Sequence, residues 1–363
     1  MSKRACAPTL TAWPDDSDGP VSSAGILIVG PSWVGDMVMA QALFKLLKAR
    51  RPETALDVLA PAWSLPIIAR MPEIRKGVVL PAGHGEVALR KRWRLGRSLK
   101  AEGYRQAIIL PRSLKAALIP WFAGIPTRTG FRGEMRFRLI NDMHEFDEHR
   151  LDQTVKRFLA LGLPPDEALP GVPRPELRVS GEHQRAVIER LGLSGDRPVI
   201  AMMPGAEYGP AKCWPLEHFT ALAEMLSRDG YAVWVLGSVR DNASGEAVAA
   251  GGHAVNLCGR TELEDVIDLL GFCEQAVCND SGLMHVAAAV GTRVVALYGS
   301  TSPDFTPPLT ENAVLHYLGI ECSPCFQREC PLGHFRCMRE ILPAAVLAGI
   351  RAGAKARAPR KRE

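Results

Sequence analysis

From Ile26 onward, short aliphatic runs rich in β-branched residues alternate with longer stretches whose apolar positions recur at helical spacing. In the first half the runs at 26–29, 56–60, 78–80 and 107–110 read as strands. In the second half those at 199–203, 232–236, 255–257, 276–278 and 294–297 do. The first intervening stretch places Met39, Leu43, Leu46 and Leu47 at i, i+4, i+7 and i+8, with Lys45 and Lys48 on other faces, which predicts a helix with one apolar stripe packed on a sheet. Strand and helix in alternation is the pattern of βαβ units, so the class is α/β with parallel sheets.

The alternation is interrupted once. Between 162 and 175 the chain carries Pro164, Pro165, Pro170, Pro173 and Pro175 among few large apolar residues, the composition of a linker. Two consecutive doubly wound domains follow, over 25–170 and 176–348. The crevice beyond the carboxyl ends of their strands is the expected site. A length of 363 residues agrees with two domains at about 100–200 residues each.

Residues 1–24 contain no apolar segment long enough for a signal peptide and read as a disordered extension. The longest mostly apolar run, 116–126, is about half the roughly 20 residues that a membrane-spanning helix needs. Nine cysteines, an odd number, in a chain read as unexported argue for reduced thiols in the cytosol. Lys and Arg outnumber Asp and Glu by 44 to 39, too mild an excess for a nucleic-acid partner. The excess is concentrated: Arg90, Lys91, Arg92, Arg94, Arg97 and Lys100 crowd one segment, and six more positive residues fall within 351–363, which reads as a disordered basic tail.

Three predicted strand-to-helix turns carry polar groups suited to chemistry. In Gly30-Pro31-Ser32-Trp33-Val34-Gly35-Asp36, the aspartate is either a helix N-cap or a general base at the mouth of the crevice. The loop from Met203 through Gly205 to Lys212 sets glycines and a lysine ahead of a helix, as an anion site does; a solvated lysine is the alternative. In Asn279-Asp280-Ser281-Gly282-Leu283-Met284-His285, Ser281 and Gly282 offer donors at a helix start suited to a diphosphate. Asp280 fits sugar hydroxyls better, and His285 either donates to the same anion or is a surface or capping histidine. All three turns lie at carboxyl ends of strands on two facing domains. Donors placed around a leaving diphosphate would stabilise its charge without a metal, at about 3 kcal/mol each. The Asp-x-Asp at 16–18 lies in the extension with no flanking strand, which disfavours a metal-dependent transferase. A dehydrogenase is disfavoured because Gly30 and Gly35 break the G-x-G-x-x-G spacing.

These strings, GPSWVGDM at 30–37, PGAEYGPAKCWP at 204–215, NDSGLMHVAAA at 279–289 and YGSTSPDFTPPL at 298–309, with FAGIPTRTGFRGEMRFRLIND at 122–142, resemble the ADP-heptose:lipopolysaccharide heptosyltransferases. The resemblance implies a GT-B fold of two Rossmann-like domains, the first binding acceptor and the second ADP-heptose. It implies metal-independent, inverting transfer of heptose to the heptose of the lipopolysaccharide inner core, with no cofactor. By motif it implies Asp36 as base, Lys212 on the donor, Asp280 on the donor sugar, and Ser281, Gly282 and His285 around the diphosphate. The acceptor, lipid A bearing Kdo and heptose, is anionic. Arg112, Lys115, Arg128, Arg132 and Arg136 are therefore candidates to meet it, with a solvated basic face as the alternative. The resemblance implies a cytoplasmic protein bound peripherally to the inner membrane; the basic tail either assists that docking at an anionic leaflet, at about 1 kcal/mol per Lys or Arg, or is disordered and idle.

Cys322, Cys325, Cys330 and Cys337 form C-x2-C-x4-C-x6-C, outside these roles: a tetrahedral metal site, a reversible disulfide or free thiols. Two other functions stand beside the transferase: a GT-B transferase or epimerase for a different nucleotide sugar, and a non-catalytic scaffold using the cysteine segment.

Overall fold

The structure, a computed structural model, describes residues 25–83 and 86–355. The expectations for 1–24 and for the last eight tail residues, 356–363, lie outside the described residues. Six strands of the first half, β1 (Ile26–Val29), β2 (Leu56–Ala60), β3 (Lys76–Val79), β4 (Gln106–Ile109), β5 (Thr127–Phe131) and β6 (Asp142–His144), form one sheet in the order β3-β2-β1-β4-β5-β6. Six of the second half, β7 (Val199–Met203), β8 (Ala232–Val235), β9 (Val255–Asn256), β10 (Gln275–Asn279), β11 (Arg293–Tyr298) and β12 (Ala313–Tyr317), form another in the order β12-β11-β10-β7-β8-β9.

The strands pair in parallel, β1 lying between β2 and β4 with Ile28 opposite Val58 and Ile108. Helices cover the faces: α1 (Val34–Arg50), α2 (Leu65–Ala69), α3 (Leu89–Leu99), α4 (Leu118–Phe122) and α5 (Thr154–Ala160) in the first half. In the second half they are α6 (Gly181–Arg190), α7 (Leu216–Arg228), α8 (Asn242–Ala249), α9 (Leu263–Phe272), α10 (Gly282–Ala289), α11 (Arg336–Arg339) and α12 (Pro343–Lys355). Between α5 and α6 the chain has no regular element.

Central strands buried on both faces are continuous apolar runs, as β1 (ILIV) and β7 (VIAMM) are. Three strands escape the sequence pattern for the converse reason. β5 (TRTGF) and β6 (DMH) carry polar residues toward one edge of the first sheet, and β12 is a partly exposed edge of the second. At its far end the chain also departs from expectation: α12 continues through the first five positions of the basic tail, and Arg351 pairs with Asp229 at 2.7 Å. Ile350, the residue before the tail, is fully buried in the core beside α7 and anchors the helix that runs on into it.

The helix α1 is more enclosed than its expected single stripe. Eleven of its residues are buried, because α5 and α10 pack on it as well as the sheet. Even Gln41 is buried; its amide donates to the Glu176 carbonyl at 2.7 Å and to the Glu73 carboxylate at 2.9 Å, and accepts from the Glu176 N–H at 2.8 Å. A satisfied buried amide of this kind fixes the linker against the helix. One apolar cluster runs without a break from Met37–Leu47 of the first half to Met284–Ala289 of the second. Arg70, after α2, adds a buried ion pair with Asp268 of α9 at 2.7 Å, and Asp268 also accepts from the Ser180 N–H at 2.8 Å. The two halves therefore meet through a packed floor, with the crevice above it.

Candidate active site

A cavity of about 1030 Å³ occupies the crevice, and its walls are the carboxyl-end loops of both sheets. From the first half come Pro31 to Asp36, Arg112, Phe146 and Arg157; from the second come Gly205 to Tyr208, Lys212, Ser238, Asp241, Glu262, Asp280 to Leu283, His285, Thr301, Phe305, Thr306 and Phe326.

The first wall begins where β1 ends. Trp33 occupies the N-cap position of α1 without a side-chain cap bond, and Asp36 sits in the first helical turn, so the N-cap reading of Asp36 does not hold. Its carboxyl is crowded by protein. Burial raises its pKa from 3.8 to about 6, with the Lys212 charge pulling it down and the Asp280 charge pushing it up. A carboxylate poised there is ionised at neutral pH yet basic enough to take a proton from a hydroxyl.

The opposite wall is built by three loops held together by one buried amide. Asn279, at the end of β10, accepts from the Trp214 N–H at 2.9 Å and donates to the Pro204 carbonyl at 2.7 Å, which pins both ends of the loop bearing Lys212. Within that loop Gly209 passes so close to the cysteine segment that a Cβ would stand 2.5 Å from the Arg328 carbonyl oxygen. Lys212 Nζ then reaches the Asp280 carboxylate at 2.7 Å, where the Thr301 hydroxyl also donates at 2.7 Å. Lysine and aspartate are 15% and 5% exposed, so this is a nearly desolvated pair. Asp280, expected at the sugar hydroxyls, lines the cavity and pairs with the Lys212 ammonium, which also lies 5.0 Å from the centroid of the Tyr208 ring.

Ser281 precedes α10 with its hydroxyl unused as a cap, and the helix start opens on the cavity. Backbone N–H groups and a cation gathered there are the components of an anion site. His285, one turn in, is 5% exposed, and burial lowers its pKa to about 4. It is neither a surface nor a capping histidine. It faces the cavity as a neutral imidazole, able to donate through one ring N–H but not to add charge. Gly205 passes beside the Asp241 carboxylate, where a Cβ would stand 2.2 Å from one oxygen.

Of the five cations expected to meet an acceptor, Arg112 lines the cavity. Two of the others are corrected by their hydrogen bonds. Arg136 is 1% exposed and donates to the carbonyls of Pro111 at 2.7 Å, Ser113 at 3.3 Å and Phe131 at 2.7 Å, so it braces the loops after β4 and β5. Arg128 starts β5, at the end of the sheet away from the crevice, and donates to the Leu139 carbonyl at 2.7 Å and the Ile125 carbonyl at 2.5 Å. Lys115 and Arg132 lie outside the cavity lining, Arg132 exposed with its guanidinium 5.8 Å from the Phe137 ring. Arg157, which no sequence motif marks, does line the cavity.

The four cysteines of 322–337 border a second, small cavity of about 60 Å³ together with His334. All four are free thiols, and among the described residues no group of three or more His, Cys, Asp or Glu is arranged to hold a metal ion. The segment reaches the main cavity through Phe326, whose carbonyl accepts from the Tyr208 hydroxyl at 2.8 Å, while the Arg328 carbonyl accepts from the Ala211 N–H at 3.0 Å. It thus braces the Lys212 loop from outside.

Comparison with known proteins agrees with this geometry. Residues 92–336 match the family described as Glycosyltransferase family 9 (heptosyltransferase). The chain is 42% identical over 334 residues to lipopolysaccharide heptosyltransferase 2 of Salmonella typhimurium, covering 89% of this chain and 96% of that one. It is 45% identical over 305 residues to lipooligosaccharide heptosyltransferase 2 of Haemophilus influenzae, covering 80% and 87%. Its fold matches the structure of the Escherichia coli ADP-heptose lipopolysaccharide heptosyltransferase II with a TM-score of 0.83 and 40% identity, over 92% of this chain and 99% of that one.

Proposed function

The chain belongs to glycosyltransferase family 9, the heptosyltransferases, and on that premise we propose that it is a heptosyltransferase II, moving heptose from ADP-heptose to the heptose of the lipopolysaccharide inner core. Its two facing parallel sheets are the GT-B arrangement. The single observation that carries the catalytic reading is the placement of Asp36 on one wall of the cavity and the Lys212–Asp280 pair with the start of α10 on the other.

In this reading residues 25–170 bind the acceptor and 176–348 the donor. The acceptor hydroxyl attacks the anomeric carbon from the Asp36 side; its proton passes to the Asp36 carboxylate, and the bond to the diphosphate breaks with inversion. Negative charge developing on the diphosphate is met by Lys212, by the N–H groups at the start of α10 and by the Ser281 hydroxyl. Asp280 holds Lys212 in place. His285 contributes a neutral donor, so the cation at this wall is the lysine. The nucleoside lies along the wall formed by Ser238, Asp241 and Glu262 after β8 and β9. Among the described residues no helix is long and apolar enough to cross a membrane. In this reading the enzyme meets its lipid acceptor at the cytoplasmic face of the inner membrane as a peripheral protein.

Thermal unfolding with added sugar nucleotides tests the donor. ADP-heptose is expected to raise Tm by an amount that grows with its concentration over Kd, and much less in Lys212→Met. A UDP-sugar that raises Tm while ADP-heptose does not would assign the site to another nucleotide sugar.

A further inference from the structure

On the first-half wall two arginines stand together without a carboxylate partner. Arg112 follows β4, and its guanidinium lies 4.5 Å from the centroid of the Phe146 ring. Arg157, in the middle of α5, lies 4.9 Å from the same ring and 4.8 Å from that of Phe305, which belongs to the second half. Both arginines line the cavity. Among the described residues neither is in an ion pair within 4.0 Å, although such pairs are common elsewhere in the chain. Asp152, the acid nearest Arg157 along the chain, is engaged by Lys156 at 2.7 Å. Burial pushes the Arg157 guanidinium below its ordinary pKa; the Glu148 charge opposes this, the Arg112 charge adds to it, and the Asp152 charge also opposes it.

Aromatic rings hold guanidinium groups flat and leave their N–H edges free, and a planar fork of N–H donors matches a carboxylate or a phosphate. Arg157 uses its Nε on the Leu151 carbonyl at 3.0 Å, which fixes the plane of the group. The two guanidinium groups share the Phe146 ring, at 4.5 and 4.9 Å from its centroid, and the Arg112 charge bears on Arg157, so a ligand's negative group at this wall relieves their mutual repulsion. The wall is shared with Asp36, which takes the acceptor's proton. An anion bound here therefore belongs to the molecule whose hydroxyl faces Asp36.

We propose that Arg112 and Arg157, held by Phe146 and Phe305, form a subsite for one anionic group of the acceptor, a phosphomonoester or a sugar carboxylate. This rests on the heptosyltransferase reading. Because Phe305 and the N–H of Thr154, which donates to the Phe305 carbonyl at 3.4 Å, join this wall to the loop bearing Thr301 and Thr306, the subsite touches both halves.

The test is steady-state kinetics of the full chain with ADP-heptose and a truncated heptose-bearing lipid acceptor, for wild type, Arg157→Gln, Arg157→Lys and Arg112→Gln. Phosphatase-treated and carboxyl-reduced forms of the acceptor are run beside it. Arg157→Gln and Arg112→Gln are each expected to raise the acceptor KM about tenfold or more with the ADP-heptose KM within about twofold, and Arg157→Lys to recover part of the loss. The effect is expected to vanish on whichever treated acceptor lacks the recognised group, which tells phosphate from carboxylate. An unchanged acceptor KM in both glutamine variants, or an equal loss on every acceptor, overturns the subsite. Fluorescence titration of the acceptor without donor separates the two claims. A wild type that binds acceptor more tightly than Arg157→Gln, yet transfers no heptose, keeps the subsite and refutes the donor reading; equal binding by both refutes the subsite.

Discussion

Gly35 and Gly282 face each other across the junction of the two halves with no room for a side chain on either: a Cβ on Gly35 would stand 3.3 Å from the Gly282 Cα, and one on Gly282 would stand 3.2 Å from the Gly35 nitrogen. The first turns of α1 and α10 therefore touch backbone to backbone. This contact fixes the spacing between Asp36, one residue beyond Gly35, and Ser281, one residue before Gly282. Proton acceptor and diphosphate cradle are carried by separate sheets, and a packed contact does not stretch to absorb a misfit.

Gly282→Ala tests that spacing. The added methyl would stand 2.9 Å from the Val34 Cβ, so the halves must part slightly. Overpacking of this kind costs about 1–3 kcal/mol, a fall in Tm of about 2–4 °C for each kcal/mol. We expect kcat to fall about tenfold to a hundredfold, since a displacement near 1 Å at reacting groups costs about that much. Wild-type kcat with a lowered Tm would separate the spacing from catalysis.

Asp36 gives the reaction a pH dependence of known sign. Its pKa of about 6 means that the carboxylate is the main form above pH 6 and is lost as pH falls. Activity is expected to drop tenfold per pH unit below that point and to level off above it. His285, pushed to about 4, protonates too low to produce this limb. Asp36→Asn is expected to lower kcat by about 10²–10⁴ and to remove the limb. A retained limb in that variant would place the titrating group elsewhere.

The neighbours of Asp36 move the limb in opposite directions. Lys212 pulls its pKa down and Asp280 pushes it up, so Lys212→Met is expected to shift the midpoint to higher pH and Asp280→Asn to lower pH. Lys212→Met also leaves Asp280 buried without its cation, which destabilises by about 3–5 kcal/mol. Residual activity followed from pH 4 to 9 reads both shifts; movement in the same direction would contradict the geometry.

Arg136→Met is expected to act on folding, because three carbonyls, of Pro111, Ser113 and Phe131, lose their donor in a buried place. The loss is about 3 kcal/mol or more. A thermal melt that matches wild type, combined with a raised acceptor KM, would return this arginine to the substrate.

The three strand-to-helix turns were legible in the sequence because glycine, a charged residue and a following helix announce themselves within a dozen positions. Central strands were legible because burial on both faces leaves no polar residue in ILIV or VIAMM. Edge strands were not: Arg128 and Gly130 inside β5 break the apolar pattern that marks a strand. Spacing also gives no view of where a long side chain ends. Arg128 and Arg136 sit in the same basic stretch as Arg132, yet their donors are turned inward to backbone carbonyls. Arg157 lies in an ordinary helix and acquires its position only when Phe146 and Phe305 are brought beside it from 11 residues back in the chain and from the other half of the fold. The tail, read as disordered from 351, departs from that reading over 351–355, where α12 continues because Ile350 just before it is buried and Arg351 pairs with Asp229.

The central claim is that one cavity joins a proton acceptor to a diphosphate site for heptose transfer. Purified wild type and Asp36→Asn, each given ADP-heptose and a truncated heptose-bearing lipid acceptor with the product followed by mass spectrometry, test it most directly. Wild type is predicted to add one heptose to the acceptor and Asp36→Asn to add almost none while still binding ADP-heptose. Equal product from both proteins, or none from a wild type that binds both substrates, would contradict it.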